Sequence, residues 1–127
     1  MKNKNSKYLT NKKMNNEVYK LRREVMNFIY EAKNLLRDNG VSMPRIDVRI
    51  TENDPEVLGV GRLKDNIIWI TQAGVDCDYD LRALVFHELV HAVTGFGHDS
   101  KCYLMCPSMK PGAMSKAKIH KAFLSYF

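Results

Sequence analysis

The segment Leu84-Val85-Phe86-His87-Glu88-Leu89-Val90-His91-Ala92-Val93-Thr94-Gly95-Phe96-Gly97-His98 carries most of what the chain discloses. Leu81, Leu84, Val85, Leu89 and Val93 predict a buried helix that starts near Asp78 to Asp80 and runs to Gly95. Residues four apart on a helix lie one turn above each other. Both imidazoles of His87 and His91 therefore face the same side and can share one zinc ion. Glu88 is then placed beside the metal, where it can take a proton from an activated water and pass one to a leaving amine. An amphipathic helix with two surface histidines is the plainer reading, and the apolar neighbours on both sides argue against it.

A catalytic zinc needs a third protein ligand and an open position for water. No Glu follows Glu88, which excludes a carboxylate of that kind from a downstream helix. The candidates are His98, Asp99, Cys102, Cys106 and His120. His98 is favoured because Gly95 can end the helix and reverse the chain, while Gly97 gives freedom to aim the next side chain at the metal. Asp99 or a Cys stays open as the alternative. His120 falls on the last helix, is expected to be exposed and has no motif around it.

Working outward, Val18, Leu21, Val25, Phe28, Ile29, Ala32, Leu35 and Leu36 recur at spacings of three and four. They predict a long helix from about Asn15, closed by Asn39-Gly40. Residues 1–14, rich in Asn and Lys, read as a flexible basic lead-in, leaving 15–127 as a single domain. Ile46, Val48 and Ile50 alternate with polar residues as a half-buried strand. Residues 57–63 and 67–70 flank Lys64-Asp65-Asn66 as a hairpin. Ser115 is the expected N-cap of a last helix with Ile119, Ala122, Phe123 and Tyr126 inward. The order implies an α+β domain: a small twisted mixed sheet packed on the long N-terminal helix and the His-bearing helix, with a C-terminal helix.

The stretch from His87 to His98 resembles the zinc-binding signature of metzincin peptidases, particularly the matrixin type, His-Glu-x-x-His-x-x-Gly-x-x-His. This chain has one residue more between His91 and Gly95, so the helix must run one residue longer or bulge. Tyr103-Leu104-Met105-Cys106-Pro107-Ser108-Met109 is similar to the family's Met-turn. The resemblance implies that Met105, with Met109 as runner-up, lies beneath three metal-bound imidazoles, and that Pro107, Ser108 and Met109 line a specificity pocket. The stretch from Gly59 to Ile70 resembles the edge strand and hairpin of such enzymes. Gly59, Val60 and Gly61 would bind an extended substrate through backbone hydrogen bonds. Residues 114–126 are similar to the closing helix of the family. The function implied is a zinc-dependent endopeptidase with His87, His91 and His98 as ligands and Glu88 as base. Proteases of the SprT and WLM type, which act on DNA-bound protein, share the His-Glu-x-x-His pattern and are the alternative within the enzyme class. A non-catalytic zinc-stabilised binding module is the alternative outside it.

Composition bounds the rest. The 127 residues suffice for one ordinary domain, and a 45% hydrophobic share excludes wholesale disorder. Lys and Arg number 20 against 14 Asp and Glu, a net charge of +6. The chain shows no aromatic-interleaved basic stripe and no recognised nucleic-acid motif, so its charge reads as a solvated polar face; a peptide or protein substrate is the expected partner, with nucleic acid as an alternative. No apolar run reaches the roughly 18 residues of a membrane span, and no signal peptide is seen. A cytoplasmic monomer is expected. The three Cys are too few for a disulfide scaffold. Cys102 and Cys106 are read as packed thiols, with a second, structural metal as the alternative.

Overall fold

The structure, a computed structural model, describes residues 2–51, 59–61, 66–71, 80–98, 104–105 and 115–127, with backbone alone at 2–17, 51, 59–61 and 71. Among these, the elements follow the chain as α1 (Lys2–Asp38), β1 (Asp47–Thr51), β2 (Gly59–Gly61), β3 (Ile67–Thr71), α2 (Leu81–Thr94) and α3 (Lys116–Leu124). The expected α+β order is present. Central β3 runs parallel to β1, with Val48 opposite Ile68, and antiparallel to β2, with Val60 opposite Trp69. Residues 62–65, where the hairpin turn was expected, lie outside the described residues.

One sheet face is apolar by alternation. Val48, Ile68 and Ile70 are at most 1% exposed, while Arg49 opposes Trp69 on the other face, with its guanidinium 6.0 Å from the indole centroid. Asn66 enters β3 in the left-handed conformation (φ 62°), which Asn tolerates better than most residues. Its carbonyl accepts from the Asp47 N–H at 2.9 Å, and its own N–H donates to the Ala92 carbonyl at 3.3 Å. That second bond engages a carbonyl that α2 leaves unpaired at its C-terminal end.

Leu21, Val25, Ile29, Ala32 and Leu36 form the buried stripe of α1. The helix ends as its sequence predicts. Gly40 is left-handed (φ 77°), the Val41 N–H reaches back to the Leu36 carbonyl at 2.8 Å, and the Gly40 N–H reaches that of Arg37 at 3.0 Å. Its start differs from the expectation. The helical backbone begins at Lys2, so the boundary placed between residues 14 and 15 marks where apolar spacing begins, not where the helix does. Once a packed turn has nucleated, extension costs little per residue, and residues 2–14 contain neither Gly nor Pro.

Every residue of α2 from Ala83 to Ala92 is buried, because the helix touches α1, β2, β3 and α3. Asp80 caps its start by accepting from the Ala83 N–H at 3.3 Å. Ser115 caps α3 in the same way, and Ile119 and Phe123 are buried inward as expected. No described helix is long and apolar enough to cross a membrane.

Behind α2 the three helices meet at Glu31. Its carboxylate accepts from His120 Nε2 at 2.8 Å and from Arg82 Nε at 3.0 Å, with Lys116 Nζ at 3.9 Å. The sequence suggested an exposed His120, and this pairing overturns that expectation. The residue is partly buried, and its ring stacks at 5.6 Å on Phe86, which in turn meets Phe123 edge-on at 4.8 Å. Burial alone would raise the Glu31 carboxyl, but the hydrogen bonds and charges of His120 and Arg82 outweigh it and hold the pKa below its usual 4.5. A carboxylate depressed in the folded state contributes stability that is complete above its unfolded value and is lost as pH falls through its folded value. Glu31→Ala should therefore cost about 1–3 kcal/mol at neutral pH. In urea unfolding, the gap between wild type and variant should narrow as pH drops below 4.5.

Candidate metal centre

His87 and His91 project from one face of α2, and His98 reaches the same point from the loop after it. One ring nitrogen from each lies within 4.8 Å of the others. His87 and His91 are only 4% and 6% exposed, whereas His98 is exposed. The outer nitrogens of the two helical histidines are both engaged. His87 Nδ1 is 2.5 Å from the Leu104 carbonyl oxygen, and His91 Nδ1 is 2.7 Å from that of Phe96. A carbonyl oxygen only accepts, so each Nδ1 carries the proton and each Nε2 presents a lone pair.

These two lone pairs face each other, with Nε2 to Nε2 at 3.2 Å. Two nitrogens bound at about 2.0–2.1 Å to a tetrahedral zinc stand about 3.3 Å apart, so the spacing is that of two ligands on one ion. Glu88 is 2% exposed, and its Oε1 lies 3.5 Å from His87 Nε2. Three electron-rich atoms thus crowd one point in a buried setting, an arrangement that a cation relieves. Burial, joined by the nearby His91 and His98, overcomes the opposing effect of the Leu104 carbonyl and pushes the His87 pKa down to about 4. Burial and His98 also lower that of His91, against the Phe96 carbonyl. Both imidazoles are therefore neutral at physiological pH, as metal binding requires.

The extra residue in the signature does not displace the third histidine. The helix stays regular to Thr94, and Gly95 terminates it in the left-handed conformation (φ 79°), with its N–H on the His91 carbonyl at 3.1 Å. The expected roles of the two glycines divide differently. Gly97 has no positive φ, and a Cβ there would meet nothing within 4 Å, so Gly95 alone supplies the reversal that aims His98.

Met105 is fully buried in a turn immediately after Leu104, whose carbonyl holds His87. Gly59, Val60 and Gly61 form β2, at one edge of the sheet and in contact with α2. Asp99, Cys102, Cys106, Pro107, Ser108 and Met109 lie outside the described residues, as does Cys77. Sequence reading missed the Leu104 and Phe96 carbonyls, since a backbone acceptor carries no residue signature. It also missed Thr94, whose hydroxyl donates to the Val90 carbonyl at 2.6 Å and accepts from the Phe96 N–H at 3.1 Å. No protein-family model, curated protein or solved structure matches the chain.

Two outcomes follow for this loop and these rings. Gly95→Ala should cost about 1–2 kcal/mol and weaken metal binding, while Gly97→Ala should leave both near wild type, as read by thermal unfolding and metal titration. In chelator-treated protein, the unfolded chain takes up a proton on His87 that the folded state refuses. Stability should therefore fall as pH drops from 6.5 toward 4, by up to about 1.4 kcal/mol per pH unit.

Proposed function

We propose that this chain is a zinc-dependent endopeptidase of metzincin-like design, with His87, His91 and His98 holding the metal and Glu88 acting as general base and acid. The observation that carries the reading is the paired Nε2 lone pairs at 3.2 Å, with the Glu88 carboxylate beside them. A purely structural site would fill its fourth position with another protein ligand, and it has no use for a buried carboxylate next to its metal.

Bound zinc would polarise the scissile carbonyl and bring the pKa of water toward about 7. Glu88 then does the proton work. Its carboxylate takes a proton from the attacking water as the new C–O bond forms, and returns it to the amide nitrogen as the C–N bond breaks. Glu88 is only 2% exposed, which keeps that carboxylate away from bulk water. Leu104 and Phe96 keep the two imidazoles in the correct tautomer throughout. The edge position of β2 supports addition of an extended peptide as a further strand. The buried turn at Met105, directly after the carbonyl that orients His87, supports the matrixin comparison.

Glu88→Gln should keep one zinc per chain and lose at least about 100-fold in cleavage of an unstructured protein substrate. His98→Ala should lose zinc occupancy. Elemental analysis of wild type and both variants, alongside proteolysis, checks the assignment. Zinc retained by the His98 variant would move the third ligand elsewhere. Stoichiometric zinc with no cleavage by wild type would favour a binding module, and absence of zinc from protein never exposed to chelator would end the reading.

A further inference from the structure

The outward surface of α1 is segregated by charge. At about 100° per residue, Tyr19, Arg22, Arg23, Tyr30, Lys33 and Arg37 share about 100° of arc. All six are exposed, Tyr19 at 69% and Tyr30 at 55%. No carboxylate falls within that arc. The described acidic residues of α1, Glu24, Glu31 and Asp38, recur at intervals of seven on a different side, and Glu31 is committed to His120 and Arg82. Arg22, Arg23 and Lys33 form no ion pair with any described residue, and Arg37 only approaches its exposed neighbour Asp38 at 4.0 Å. The linear sequence conceals this stripe, because its members are brought together only by the helical period.

We propose that this face of α1 binds single-stranded nucleic acid, with the four cations on phosphates and Tyr19 and Tyr30 stacking on unpaired bases. From Tyr19 to Arg37 the face runs about 27 Å, and the two phenol rings lie about 16 Å apart along it. Cations without carboxylates match a uniformly anionic polymer, and planar rings standing in solvent match the exposed faces of unpaired bases. A duplex stacks its bases inside and offers the tyrosines nothing. A membrane surface would call for larger aliphatic side chains on the same arc, where Met26 is the only one and is partly buried against the core. The inference stands apart from the metal centre and does not depend on peptidase activity.

The test is fluorescence anisotropy of the full chain with a labelled oligo(dT) of about 15 nucleotides, from about 50 to 200 mM salt. Removing four phosphate contacts in R22Q/R23Q/K33Q/R37Q should flatten the slope of log K against log salt by about 2.8. Y19A/Y30A should weaken binding tenfold or more with the slope unchanged, and Y19F/Y30F should restore it. Circular dichroism of each variant should match wild type, since none of the six side chains is buried. Four outcomes would overturn the proposal: an unchanged slope in the quadruple variant, wild-type affinity in Y19A/Y30A, duplex bound at least as tightly as single strand, or anionic vesicles displacing the oligonucleotide.

Discussion

Two imidazoles can offer their lone pairs to one point only if their other nitrogens are held elsewhere, and this constraint organises the chain around α2. His87 depends on the Leu104 carbonyl and His91 on the Phe96 carbonyl, so segments on the far side of the helix's end determine the chemistry of residues in its middle. The result is electrostatically unfavourable by itself. Two lone pairs meet at 3.2 Å with a carboxylate oxygen at 3.5 Å, in a helix otherwise apolar on all sides. A bound cation would convert that repulsion into coordination, and metal affinity would then be coupled to folding stability at this site.

The rest of the fold keeps α2 from yielding to that strain. The sheet covers one side, α1 another and α3 a third, and the Glu31 network fastens the two flanking helices to Arg82 at the start of α2. Phe86, adjacent to His87 in sequence, points about 100° away around the helix, onto Phe123 and His120. One turn of helix thus has a chemical side and a structural side. The hydrogen bond from Asn66 to Ala92 fixes the sheet to the end of the same helix, with which the edge strand β2 is also in contact.

Most of this was legible in the sequence because its signals are local. Asp80, Ser115, Gly40 and Gly95 mark helix ends through their own backbone chemistry, and the ends fall where those residues predict. The pairing of His87 with His91 follows from helical geometry alone. What escaped was of three kinds. The start of α1 was hidden because residues 2–14 carry no apolar spacing from which a helix could be read. The partnership of His120 with Glu31 joins residues 89 apart, and no local pattern announces it. The cationic face of α1 is periodic in space but scattered along the chain.

The chain carries one residue more before Gly95 than the signature it resembles, and the three imidazoles still come together. However long it is, a helix leaves its last four carbonyls without helical partners, and the turn that follows α2 is held by other bonds. The Thr94 hydroxyl ties this turn to the helix, donating to the Val90 carbonyl and accepting from the Phe96 N–H. With Phe96 fixed by that bond, its carbonyl is aimed at His91, and the chain emerging from it carries His98 to the metal point. One short loop therefore sets the tautomer of His91 and the position of His98. The placements of His91 and His98 are therefore linked through Phe96, and the Thr94 hydroxyl anchors the loop that joins them.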